Sequence, residues 1–177
     1  MGKTNEPSYQ IVLALRGLIT SDYNTTRNNV KQIIWKDYPR KDLSKNSYPR
    51  ISIMDITETG DPVAIGSPTY MENIYVLQID IWMWDKPNDP LFVTVDSTSM
   101  AGTRARDEIT RDVLYKLRKN FTTDSNLSSY YDYRVRANRV ISFDEDDGIL
   151  RRSIEIEFKE MDNASWGEER WKIIYRF

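Results

Sequence analysis

The sequence predicts an α+β domain: an antiparallel sheet of four to five strands with two helices packed on one face. Three observations carry this expectation. Apolar and polar residues alternate with a period of two at 51–56, 73–84, 133–143 and 150–158, the pattern of strands that turn one face to a core. Ala101, Ala105, Ile109, Val113 and Leu117 recur every four residues, the spacing of one helix face. Asp147-Gly148 stands between the last two alternating runs and is hairpin chemistry. A parallel βαβαβ arrangement would need more helices than the sequence supplies.

Taken in order, the first element is a short amphipathic helix after Pro7, with Ile11, Leu15, Leu18 and Ile19 on its apolar side. Thr4 or Asn5 is placed to cap it, Glu6 complements its positive end, and Pro7 suits the first turn, where a missing N–H costs nothing. Residues 20–50 are polar apart from the island Val30-Lys31-Gln32-Ile33-Ile34-Trp35, which fits either a strand or a helical turn. A strand at Ile51-Ser52-Ile53 follows, and Gly60-Asp61-Pro62 and Gly66-Ser67-Pro68 read as turns. The long strand 73–84 carries Tyr75, Leu77, Ile79, Ile81 and Met83 on one face and Ile74, Val76, Gln78, Asp80, Trp82 and Trp84 on the other. Asp85-Lys86-Pro87-Asn88-Asp89-Pro90 ends it, because each proline removes a ladder donor.

A second helix starts from Ser97 or Ser99, with Asp107–Arg111 and Asp112–Lys116 as i, i+4 ion pairs. The two runs of the hairpin then follow, and Arg134 and Arg136 on one strand face Glu155 and Glu157 on the other. Trp171-Lys172-Ile173-Ile174-Tyr175-Arg176-Phe177 reads as a last strand. At 177 residues the chain makes one domain of the usual size of about 150 residues. Residues 1–177 are therefore read as one unit, with a polar insertion at about 20–50 and a C-terminal extension at about 161–177.

Composition narrows the chemistry. The chain has no Cys and no His, which removes disulfides, thiolate and imidazole metal sites, and every histidine-based nucleophile system. Carboxylates, Lys, Tyr and backbone amides remain. With 25 Lys+Arg against 27 Asp+Glu the net charge is −2, so no global field draws the chain to nucleic acid or an anionic membrane. No apolar run approaches the ~20 residues of a membrane span, and MGKTNEPSY lacks the apolar region of a secretory leader. No glycine-rich phosphate cradle is present. The expectation is a protein without cofactor, metal or membrane partner, and not an enzyme.

Three clusters invite a functional reading. Asp144-Glu145-Asp146-Asp147 offers oxygen ligands to Mg²⁺ or Ca²⁺, and beside Arg139, Arg151 and Arg152 it outlines a carboxylate-metal nucleic-acid enzyme. Its spacing lacks the alternation of a calcium loop, so a solvated hairpin tip is preferred. Arg134, Arg136, Arg139, Arg151 and Arg152 with Tyr130, Tyr131 and Tyr133 resemble a stacking nucleic-acid surface, but Glu155 and Glu157 balance them. Trp82 and Trp84 share a strand face and are either covered by the helices or left for a protein partner.

The element order, with Tyr48-Pro49-Arg50-Ile51-Ser52-Ile53, then Tyr75-Val76-Leu77-Gln78-Ile79-Asp80-Ile81-Trp82, then the helix over 103–119 and the hairpin, resembles a known family. It is similar to the tail terminator and tail-completion (neck) proteins of long-tailed phages and archaeal tailed viruses, over about residues 5–160. The resemblance rests on the order and spacing of these segments. It implies an α+β subunit of a homo-oligomeric ring, a hexamer, at the head-proximal end of the virion tail. That ring would cap the tail tube, join the neck or head-completion protein and touch the tail sheath in a contractile tail, and DNA would pass through it without specific binding. A head-completion or neck adaptor is the neighbouring alternative. On this reading the subunit interface or channel lining draws on Trp82, Trp84, Arg134, Arg136, Glu155 and Glu157 with the hairpin tip Asp144, Glu145, Asp146 and Asp147. Trp82, Trp84 or the Arg–Glu ladder should stand open on the sheet face opposite the helices. A near-neutral chain also suits a passage through which DNA must slide.

Overall fold

A computed structural model describes residues 6–19, 30–36, 47–62, 70–84, 93–95, 98–100, 102–141 and 148–163. Helix α1 (Pro7–Leu15) has Pro7 in its first turn and runs on into a 3₁₀ turn, Arg16–Leu18. Its cap position is Glu6, not Thr4 or Asn5, which lie outside the described residues. Extended at φ −67°, ψ 129°, Glu6 caps with its backbone carbonyl, which accepts from Tyr9 N at 3.0 Å and Gln10 N at 3.1 Å, and not with its side chain.

The island after Val30 forms strand β1 (Gln32–Trp35), which lies parallel to β2 (Arg50–Pro62) with Gln32 opposite Arg50. It contributes the parallel pair in an otherwise antiparallel sheet. Strand β2 runs straight through Gly60-Asp61-Pro62, where the sequence places a turn. Two local facts explain this. Pro62 is the terminal strand residue, and Gly60 leaves room for its partner's side chain, since a β-carbon there would sit 2.9 Å from Asn73 Oδ1. A bulge between Asp55 and Thr57 turns Ile56 out of the alternation and into solvent. The expected turn Gly66-Ser67-Pro68 and the break at 85–90 lie outside the described residues.

Strand β3 (Tyr70–Trp84) begins three residues before the sequence-based start, at Asn73. Short strands β4 (Val93–Val95) and β5 (Thr98–Met100) pair with each other and occupy the region where the sequence starts the second helix. Helix α2 (Gly102–Asn120) instead begins at Gly102, whose φ of 57° is a conformation glycine adopts without steric cost. Strands β6 (Tyr130–Ile141) and β7 (Ile149–Asn163) are antiparallel neighbours.

The main sheet has the order β1-β2-β3-β7-β6, so β3 is its centre and β6 and β1 are its edges. This is the predicted α+β class: a mostly antiparallel sheet with both helices on one face. Ile11, Leu15 and Leu18 from the first helical segment and Ala105, Ile109, Val113 and Leu117 from α2 share one core with Ile51, Ile53, Leu77, Ile79, Ile81, Ile154, Ile156 and Phe158. Period two then fixes the opposite face of the sheet without further freedom. The expected C-terminal strand over 171–177 and most of the polar insertion lie outside the described residues.

Candidate functional site on the second face of the sheet

The face turned away from the helices carries most of the residues singled out from the sequence. One cross-strand row runs Gln32, Arg50, Trp82, Arg151 over β1, β2, β3 and β7. The next runs Ser52, Asp80, Ser153, Arg139 over β2, β3, β7 and β6. Trp82 does lie on this face, as its alternation requires, but it is closed and not open: it is 5% exposed. Its Nε1 donates to Ser52 Oγ at 3.0 Å, and the Arg151 guanidinium lies 4.9 Å from its ring centroid. Tyr48, Trp82 and Ile149 form a second apolar cluster, with half-buried Trp84 against it and 6.0 Å from the Tyr48 ring. The helices therefore cover neither tryptophan. Tyr48 closes this side, from a segment outside any alternating run, which is why the strand pattern could not announce it.

Beside Trp82, Asp80 is 1% exposed and accepts two hydrogen bonds on Oδ2, from Arg151 Nη2 at 2.7 Å and from Gln78 Nε2 at 2.8 Å. A buried carboxylate needs such partners, because isolation from water would cost several kcal/mol. Nothing in the composition marks Asp80 as special. Its place inside a long apolar strand was the available signal.

Toward the β6 edge the arginines find carboxylates within the chain. Arg134 Nε lies 2.9 Å from Glu157 Oε1, and Arg136 Nε lies 3.7 Å from Glu157 Oε2. Glu155 pairs with Arg139 at 2.5 Å, and not with Arg134 or Arg136 as the simple alternation implied. The cause is a bulge between Val135 and Ala137, which adds Arg136 to the strand and moves the register by one residue. Glu157 is buried while Arg134 is exposed, so that pair is a surface guanidinium held on a recessed carboxylate, whereas Glu155 is only partly covered beneath exposed Arg139. Val135 and Val140, also on this edge strand, are exposed.

The stacking surface imagined from Tyr130, Tyr131 and Tyr133 does not assemble. Tyr130 and Tyr133 stack into the core around Phe158, and exposed Tyr131 hydrogen-bonds Glu72, which pushes its phenol up to about 12. Arg152 bridges to Asp107 on α2 at 2.7 Å. Asp107 thus pairs with Arg152 and Arg106, and Arg111 turns to Glu108, in place of the expected Asp107–Arg111 pair. Burial raises the Asp107 carboxyl, but hydrogen bonds from Arg152 and Arg106 outweigh it and hold the group below its ordinary value.

Asp144, Glu145, Asp146 and Asp147 lie outside the described residues. Among the described residues no group of three or more carboxylates is placed to hold a metal ion, and no helix is long and apolar enough to cross a membrane. No protein-family model matches the chain, and no curated protein matches it.

Proposed function

We propose that this chain is a structural virion protein, a tail terminator whose subunits form a homo-hexameric ring at the head-proximal end of the tail. The ring caps the tail tube, meets the neck protein on its other side and, in a contractile tail, touches the sheath. The observation that supports this reading best is the twelve-residue edge strand β6, which presents exposed Val135 and Val140 beside exposed Arg134, Arg136 and Arg139. A long edge with exposed β-branched residues is an assembly hazard in a monomer and an asset in a subunit. A ring is the closed solution for a head-to-tail interface, and it leaves no free edge to propagate. A chain without His or Cys and with net charge −2 also suits a passive conduit for DNA.

The test is the mass of the purified protein by light scattering, together with immunolabelling of particles. A ring-sized oligomer at the head–tail junction supports the assignment. A protein that stays monomeric and is missing from particles defeats it. Label on the head side of the tube terminus, with normal tube length in its absence, would instead assign the neck adaptor role. Calorimetry with Mg²⁺ and Mn²⁺ addresses the enzyme alternative: micromolar binding lost in Asp146→Ala would overturn the structural reading.

A further inference from the structure

Arg50 opens β2 on the second face, between Gln32 and Trp82 in cross-strand register. It is 7% exposed, which is unusual for arginine without a counter-charge. Its counterpart across Trp82, Arg151, has the Asp80 carboxylate at 2.7 Å. Arg50 has no such neighbour among the described residues: its Nη2 donates to the neutral amide oxygen of Gln32, and its enclosed Nε donates to nothing. Desolvation accordingly lowers this guanidinium from its ordinary value.

Nε–H and Nη2–H project from the same edge of a guanidinium and form the fork that fits two oxygens of one carboxylate or phosphate. In Arg50 one prong is filled by a single amide oxygen and the other is empty. Gln32, the filler, is an exposed residue at the start of an edge strand, so its side chain can swing aside without disturbing the core. We propose that Arg50 is an oxyanion-binding site, at which a carboxylate or phosphate replaces Gln32 and engages Nε and Nη2 together. The oxyanion is either a free ion or a carboxylate from a second copy of the chain. The site does not depend on the ring assignment.

Calorimetry and thermal unfolding with sodium phosphate and sodium acetate, against sodium chloride at matched ionic strength, test it. The expected result is saturable binding with a rise in Tm, lost in Arg50→Met. Gln32→Ala should tighten binding, because it frees the fork; a purely structural Arg50 predicts no such gain, and this variant alters only an exposed side chain should Arg50→Met fail to fold. If the oxyanion comes from a second copy, sedimentation will show self-association that phosphate competes away, that Gln32→Ala strengthens and that Arg50→Met abolishes. Wild type and Gln32→Ala that respond to phosphate and acetate only as to chloride, with self-association indifferent to phosphate and Gln32, would overturn the proposal.

Discussion

Ser8 Oγ donates a 2.7 Å hydrogen bond to Asp55 Oδ2, a residue 47 positions further along the chain. The same oxygen accepts from Trp35 Nε1 at 2.9 Å, so one fully buried hydroxyl in the first turn of α1 ties the helix to both β1 and β2. Lys36 adds ion pairs to Glu6 and to Asp55, the latter at 3.4 Å, and these raise its ammonium through the hydrogen bond to Glu6 first.

Ser8→Ala should therefore destabilise the protein by about 1–3 kcal/mol, since it strands the Trp35 indole N–H and removes a donor from Asp55. Lys36→Ala breaks only half-exposed, solvent-screened pairs and should cost clearly less than Ser8→Ala. Urea unfolding of the two variants checks the ranking, and equal losses would contradict it.

Trp82→Ala should cost about 3–5 kcal/mol of folding stability, because it empties a closed site between Tyr48, Ile149 and the Arg151 guanidinium. The loss should appear at every protein concentration. A variant that folds normally and fails only to assemble would make Trp82 an interface residue and refute the packing described.

Glu157 and Glu155 sit two residues apart on one strand, yet should respond differently to neutralisation. Glu157→Gln removes the recessed charge and turns one of the two oxygens shared by Arg134 and Arg136 into a donor facing a guanidinium, and should cost about 1–3 kcal/mol. Glu155→Gln loosens one exposed partner, Arg139, and should stay within about 0.5 kcal/mol. Denaturant midpoints of the two single variants decide it.

Acid should expose the Asp107–Arg152 contact between α2 and β7. The folded-state value of Asp107 lies below its ordinary 3.8, so its stabilisation is present above that pH and is lost as pH falls through the lowered value. Asp107→Asn should lower stability across the neutral-to-alkaline range by a constant amount and flatten the acid limb, where the variant and wild type converge. An acid limb identical to wild type would exclude Asp107 as a contributor.

The fold was legible where one periodicity held over a long segment. The inward residues of β3 and the four-residue stripe of α2 followed from spacing alone, and with them both faces of the sheet. What escaped were events one residue wide. The bulge at Arg136 reassigned Glu155, the open backbone at Gly60 carried β2 past its expected turn, and Gly102 delayed α2. The second face was legible in composition but not in consequence. Whether Trp82 is closed depends on Tyr48, and whether Asp80 is neutralised depends on Arg151, both distant in sequence and set by register.

That register has a kinetic side. The β2–β3 and β6–β7 pairs each join strands adjacent in sequence, whereas the ladder from Tyr70–Asn163 to Trp84–Ile149 joins opposite halves of the chain without a single bulge. Two hairpins can form early and locally, but the seam between β3 and β7 must close a large loop before any of its contacts is gained. On contact-order grounds that seam is expected to be the slow step of folding. Until it closes, Trp82 and Asp80 lack Arg151, and the apolar faces of both hairpins stay open to other chains. The interval before closure is when self-association in the wrong register competes with folding.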